Sequence, residues 1–82
     1  MDQVRQRKPK LIVTFPSVTA AMTMEDACKR EGLDGRLIPT PQELTAGCGL
    51  SWACEPEAEV SIKALLEKGA IPFGQVCVLQ LL

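Results

Sequence analysis

The sequence contains no histidine and no tyrosine. Serine–histidine and cysteine–histidine catalysis of the usual kind is therefore excluded within this chain, as are metal sites that need an imidazole ligand. The four cysteines form no CxxC pair, which disfavours a zinc ribbon or a plain iron–sulfur framework. We expect a protein that holds neither a metal nor another cofactor.

Long apolar runs are also missing. No segment reaches the roughly 18 apolar residues that a membrane helix needs. Residues 1–10 carry charges but lack the apolar stretch of a secretory signal. The sequence therefore predicts a cytoplasmic protein with reduced thiols and no membrane partner. With 82 residues, 46% hydrophobic and 23% charged, it has the size and composition of one globular domain.

The charge is unevenly distributed. Residues 1–10 hold four cations and one acid, whereas the other 72 residues hold five cations and nine acids. A mildly acidic body is a poor surface for phosphate contacts, so we expect no nucleic-acid partner. We predict a flexible basic tail over residues 1–9 and a single folded domain over residues 10–82.

Strand and helix signals alternate along the chain. Strands are predicted at residues 11–15, 36–38, 50–54 and 76–79 from β-branched, aromatic or alternating residues. One helix of about 14 residues starts at Val18 after the Ser17 cap, and a second starts at Glu55-Pro56-Glu57. The order β-α-β-β-α-β predicts an α+β, ferredoxin-like fold: a four-stranded antiparallel sheet, order 4-1-3-2, with both helices on one face. Its predicted core consists of Leu11, Val13, Met24, Ile38, Ile62, Leu65 and Leu66.

Such a fold leaves one face of the sheet without helices. The first, third and fourth strands supply apolar residues to it, and a contiguous apolar patch usually marks a partner surface. Two interpretations remain at this point: a homodimer forms through the open sheet face, or the apolar C-terminal residues fold over it.

Cys48 differs from the other cysteines. Cys28 lies on the buried face of the first helix, Cys77 lies inside a strand, and Cys54 ends a strand, so core packing is the expected role of all three. Cys48 lies in a loop between Gly47 and Gly49, which add no bulk and permit unusual backbone angles. A tight turn with an incidental cysteine is the simpler alternative.

The predicted topology gives Cys48 a specific environment. The loop between the second and third strands lies at the same end of the sheet as the N-terminus of the first helix. We therefore expect Cys48 near Ser17, where free amides and the positive end of the helix dipole lower a thiol pKa.

These residues resemble the putative selenium/sulfur carrier protein-like family, small bacterial domains of otherwise unknown function. The resemblance covers roughly residues 10–78, and its most distinctive stretch runs from Pro41 to the Ala46-Gly47-Cys48-Gly49 segment. It implies a carrier, not an enzyme, with Cys48 holding a persulfide or selenopersulfide. It also implies two partners: a sulfur- or selenium-donor protein such as a cysteine desulfurase, and an acceptor protein. One position departs from the family, because Gln42 stands where an arginine is frequent.

Two other functions compete with this hypothesis. The first is a ferredoxin-like module that binds a ligand or a partner without covalent chemistry. The second is a thiol redox protein, in which Cys48 and Cys54 would form a disulfide. Along one extended strand these two residues are about 20 Å apart, well beyond the roughly 7 Å that a disulfide allows between α-carbons.

Overall fold

The fold is an α+β arrangement with one antiparallel sheet, described in a computed structural model for residues 8–44 and 49–81. Its elements, in chain order, are β1 (Lys8–Thr14), α1 (Val18–Glu31), β2 (Arg36–Pro39), β3 (Leu50–Cys54), a 3₁₀ turn (Pro56–Ala58), α2 (Glu59–Lys68) and β4 (Val76–Leu81). The 3₁₀ turn distinguishes this order from a plain βαββαβ pattern.

The strands form one sheet in the order β2-β3-β1-β4. Read from the β4 side, this is the predicted order 4-1-3-2. β1 pairs antiparallel with both β3 and β4, which explains why its side chains are buried on both faces. β2 is an edge strand, as Pro39 predicts, because proline cannot donate to a further strand.

Helix α1 matches its predicted limits. The side chain of Ser17 accepts a hydrogen bond from the amide of Ala20 at 3.1 Å, which caps the helix. Gly32 ends it with φ of 72°, a left-handed conformation that glycine adopts without steric cost. The predicted apolar face is the buried one: Ala20, Ala21, Met24, Ala27 and Cys28.

Both helices pack on the same face of the sheet. Their apolar side chains form one core with Leu11, Val13 and Trp52 of the central strands. Six of the seven predicted core residues belong to it, and Ile38 does not. In β2 it is Leu37, opposite Trp52, that packs against this core, because alternate residues of a strand point to opposite faces. Ile38 lies opposite Ser51 on the other face, so the predicted assignment of Ile38 is wrong.

Two predicted boundaries need correction. β1 begins at Lys8, and Lys8 and Pro9 pair with Leu81 and Gln80, so these two residues belong to the sheet and not to a tail. Residues 1–7 of the predicted tail lie outside the described residues. The second helix begins at Glu59, because the residues after Pro56 form a 3₁₀ turn first.

The face of the sheet opposite the helices is also packed at its centre. Ile12 and Ala53 lie side by side there with exposures of 0% and 7%, and Thr14 and Ser51 form the next buried pair. None of the described large apolar side chains that are more than 40% exposed lies on this face: they are Val18, Met22, Val60, Phe73 and Val78. Further along this face the apolar side chains of Ile38, Cys77, Leu79 and Leu81 are partly exposed, and dimerisation through the open face stays a prediction. No helix among the described residues is long and apolar enough to cross a membrane.

Candidate functional site

The loop that carries the predicted site connects β2 to β3. Pro39 pairs with Leu50, and the amide of Thr40 donates to the carbonyl of Gly49 at 2.9 Å, so the loop starts and ends at adjacent points of the sheet. Cys48 and Gly47 lie outside the described residues. The described residues thus define the base of the loop, which consists of Thr40–Leu44 on one side and Gly49 on the other.

Gly49 has a backbone conformation that side chains with a Cβ rarely adopt. Its φ is 77°, in the left-handed region, and a Cβ built on it would meet no atom within 4 Å. The glycine is therefore required by the backbone angle and not by crowding. The prediction of unusual backbone geometry beside Cys48 is confirmed at this position.

The other side of the loop begins with a turn at Pro41. The amide of Leu44 donates to the carbonyl of Pro41 at 3.0 Å, and Pro41 itself is partly buried. Gln42 and Glu43 are exposed at the top of the turn. Glu43 is the one charged residue in segment 40–50, so this segment itself provides no cation to stabilise a thiolate.

The N-terminus of α1 lies at the same end of the sheet as this loop. Thr14 near the end of β1 pairs with Ser51 at the start of β3, and Ser51 in turn pairs with Ile38 near the end of β2. The chain then reaches Ser17 and α1 within three residues of Thr14. The topological part of the prediction, that the loop and the helix N-terminus share one end of the sheet, is confirmed.

The helix N-terminus retains donors after capping. The Ser17 hydroxyl is engaged with the amide of Ala20, and the first amides of a helix have no partner within it. The first turn of α1 contains no acidic residue to offset the positive end of the dipole. Helix α1 therefore presents a favourable local potential for an anion at the end of the sheet where the loop starts and ends.

Three hydroxyl side chains at this end were not identified from the sequence. Thr40 and Ser51 share a hydrogen bond of 2.8 Å between their hydroxyl oxygens, which links β2 to β3 beneath the loop. The Thr14 hydroxyl accepts from the amide of Gln75 at 2.9 Å and so joins β1 to the segment before β4. Their alternation with apolar residues was the available signal, but it does not show which hydroxyls pair.

Two of the other cysteines are poor nucleophiles. Burial, with a smaller contribution from Cys54, raises the pKa of the Cys28 thiol to about 11. Burial and the neighbouring Glu55 carboxylate raise the pKa of Cys54, although Lys10 and the Trp52 side chain oppose this. Both thiols stay protonated near neutral pH, in agreement with the predicted packing role.

Cys77 is less buried than predicted. It lies opposite Ile12 on the face without helices, is partly exposed, and receives a weak hydrogen bond from the Gln75 side chain at 3.9 Å. The prediction that packing shields it fully is wrong, because β4 is an outer strand with a neighbour on one side. Cys77 is therefore the described thiol most able to compete with Cys48 for reagents.

Within segments 8–44 and 49–81, no group of three potential metal-binding side chains comes together. The chemistry that the described surroundings favour is that of an anion or a thiolate at the base of a loop, beside a helix N-terminus.

The chain belongs to the family described as Putative Se/S carrier protein-like, whose model matches residues 10–77. This range includes α1, the whole β2–β3 loop with Cys48, and the first two residues of β4. No match to the chain was found among curated proteins, and none among solved structures.

Proposed function

We propose that this protein is a sulfur or selenium carrier without catalytic activity of its own, and that Cys48 is the attachment point. The observation that carries the proposal is the family membership, which spans the Cys48 loop and nearly all of the described domain. The proposed supporting residues are Gly47 and Gly49, which flank the cysteine, Pro41, which begins the turn of the loop, and Ser17, which caps α1.

The proposed loading step is an exchange at a sulfur atom. The Cys48 thiolate attacks the terminal sulfur of a persulfide on a donor protein, and a new S–S bond forms while the donor's S–S bond breaks. The donor cysteine leaves as a thiolate. The terminal sulfur keeps its proton and is now bound to Cys48. No net oxidation occurs. The same exchange onto an acceptor thiol unloads the carrier, and a selenium atom in the terminal position follows the same scheme.

The other described thiols support the assignment by contrast. A carrier cysteine has to ionise near neutral pH and has to be reached by a second protein. Cys28 and Cys54 meet neither condition, because both are buried and their pKa values are raised. Cys77 is partly accessible but lies within a strand.

The electrostatic surroundings support a modest activation. The first turn of α1 supplies unpaired amides and dipole charge at this end of the sheet, whereas the loop itself supplies only the Glu43 carboxylate. Gln42 replaces the arginine that is frequent in the family. We therefore expect the pKa of Cys48 to lie below the roughly 8.5 of a free thiol by a small margin.

The partners follow from this chemistry. A donor such as a cysteine desulfurase would supply the terminal atom, and an acceptor protein with a thiol or another nucleophile would take it. Because the unloaded carrier needs a free, reduced thiol to accept the terminal atom, the proposed compartment is the cytoplasm. The finer assignment of the fold as ferredoxin-like is part of this proposal, and the sheet order and the two helices on one face support it.

Intact-mass measurement after incubation with a cysteine desulfurase and free cysteine tests the proposal. We expect the wild-type chain to gain one sulfur atom, and Cys48→Ser to gain none while its circular dichroism stays unchanged. Cys77→Ser is the matched control, since it removes the partly accessible thiol among the described cysteines and should load normally. Site-resolved alkylation between pH 5 and 9 should show Cys48 reacting first, and Gln42→Arg should lower its apparent pKa further.

If Cys48→Ser loads as well as the wild type, or if Cys48 reacts no faster than Cys54, the carrier proposal fails. The remaining hypothesis is then a non-covalent binding module, in which Cys48 is only a residue of a turn.

A further inference from the structure

Helix α2 has a stripe of apolar and charged side chains on a side that the core does not use. Its core side chains are Ile62, Leu65 and Leu66. The stripe is the set of exposed or partly exposed residues at positions 60, 63, 64 and 67, which share one side of the helix because their spacing matches its period. Val60 in this stripe is 81% exposed.

The stripe borders a groove beside β4. The groove lies between α2 and the outer strand, and its lining residues are Lys63, Ala64, Glu67, Phe73 and Val76. Val78 continues the apolar surface along β4: it lies opposite Leu11, on the helix side of the sheet, and is 47% exposed. Among the described large apolar side chains that are exposed, Phe73 lines this groove, Val60 lies on the stripe, and Val78 lies along β4.

The backbone of β4 offers hydrogen bonds in the same place. The amide of Thr14 donates to the carbonyl of Gln75, so Gln75 faces β1. Because antiparallel bonding alternates along a strand, the N–H and C=O groups of Val76 and Val78 face away from β1. β4 is the outer strand on this side of the described sheet, so these groups form an edge that another strand can extend.

The two edges of the sheet differ in protection. β2 has four residues and carries Arg36 and Pro39, which are residues that block strand addition. β4 has six residues, Val-Cys-Val-Leu-Gln-Leu, with no charge and no proline. An uncharged strand of this length lacks the charges and prolines by which natural proteins block the addition of another strand.

We propose that the β4 edge binds a second copy of this chain, so that two sheets join into one of eight strands. In the register that we propose, Val76 of each copy pairs with Val78 of the other copy. The twofold axis that relates the two copies passes near Cys77. This register brings the two outward-facing valines together on the helix side. The axis keeps both α2 helices on the same side of the joined sheet and makes them antiparallel across the groove.

The charges on the stripe favour a second copy over an unrelated partner. Lys63 and Glu67 are one helical turn apart and both line the groove, and Lys63 also forms an ion pair with Glu59 of its own helix at 2.8 Å. Across a twofold axis, antiparallel α2 helices place Lys63 of one copy toward Glu67 of the other, twice in each dimer. The surface is therefore complementary to itself, with apolar residues at the centre and opposite charges at the border.

Sedimentation equilibrium of the full chain, from low micromolar to near-millimolar concentration, tests the proposal. We expect a monomer–dimer equilibrium, and Val78→Glu should raise the dissociation constant by about 100-fold or more because it places an unpaired charge inside the interface. Val18→Glu is the matched control: Val18 is 48% exposed, against 47% for Val78, but it lies at the start of α1, away from β4. It should leave the dimer intact.

Charge reversal distinguishes dimerisation from an effect on folding. Lys63→Glu and Glu67→Lys should each weaken the dimer, and the double variant should restore it, since the opposite charges then meet again. A wild-type chain that stays monomeric at every concentration overturns the proposal, and so does a dimer that survives Val78→Glu. If Val78→Glu does not fold, the double variant of Lys63→Glu and Glu67→Lys decides. A double variant that does not restore the dimer overturns the proposal. Because the readout is oligomeric state in the absence of any sulfur donor, this result is independent of the carrier proposal.

Discussion

Single residues with an altered thiol pKa make the stability of this protein depend on pH. The Cys28 thiol has an ordinary pKa of 9.0 that burial raises to about 11 in the folded chain. Above pH 9 the unfolded chain therefore releases this proton while the folded chain keeps it. Because the unfolded state binds fewer protons there, the free energy of unfolding falls as pH rises from about 9 to 11 and is unaffected below that range.

We predict that Cys28→Ala loses part of this decline. Thermal unfolding followed from pH 7 to 11 should show a shallower loss of melting temperature in Cys28→Ala than in the wild type, even if the variant is less stable at pH 7. Some decline should remain, because the pKa of Cys54 is also raised. Cys77→Ala should keep the wild-type profile, since both buried thiols are then still present. Identical profiles for Cys28→Ala and the wild type would contradict the assignment.

The backbone angle φ at Gly49 determines how much stability is lost when another residue replaces it. Its φ of 77° costs a residue with a Cβ about 1–2 kcal/mol, although the space around it is open. Gly49→Ala should therefore lower the free energy of unfolding by about 1 kcal/mol, and Gly49→Asn by less, because asparagine tolerates this region better. Chemical denaturation measures both. A larger loss for Gly49→Asn than for Gly49→Ala would indicate that size, and not φ, limits this position.

At the scale of elements, α2 is held to the sheet by a few large side chains. Leu65 is 7% exposed and lies in the core with Ile62 and Leu66. Leu65→Ala should cost about 2–5 kcal/mol, the usual effect of emptying a packed leucine site, which is a large part of the stability of a domain this small. Ser61→Ala, on the exposed side of the same helix, should change little. Denaturation curves of Leu65→Ala and the wild type that coincide would exclude α2 from the core.

The helices and strands differ in how far their limits and buried faces could be predicted from the sequence. Helix α1 was predictable to the residue because Ser17 and Gly32 mark its ends and its apolar face repeats at the helical period. The position of strand β2 in the sequence was predictable, but the side chain that it turns toward the core was not. Leu37 and Ile38 are both apolar, and only the pairing with β3 decides which of them faces the helices. The start of β1 was missed since charged and proline residues seldom begin a central strand, yet Lys8 and Pro9 pair with β4.

Parts of the candidate site could also be predicted from the sequence, and other parts could not. The loop, its glycine and its position beside α1 follow from turn residues and topology, and the fold agrees with them. The hydroxyl pair of Thr40 and Ser51 could not be predicted, since it depends on the exact register of two strands. The partial exposure of Cys77 was missed for a related reason: whether a strand is central or at the edge decides burial, and the composition of β4 is that of a central strand.

At the scale of the whole molecule, the carrier and dimer proposals are compatible. The candidate loop is attached to β2 and β3, and the proposed dimer edge is β4. These strands occupy opposite sides of the sheet, so two copies joined at β4 would hold their loops at the two far sides of the assembly. A donor protein could then approach either loop without displacing the second copy.

The position of β1 also bears on synthesis of the chain. β1 is made before the other strands of the described sheet, yet one of its two neighbours, β4, is the last of them. Until β4 arrives, β1 is itself an edge strand, and its apolar segment Leu11–Val13 has no strand on that side. Such an edge is a template for pairing with another nascent chain. The completed sheet removes this hazard only when contacts between distant parts of the sequence form, which is the slow step in folds of this kind.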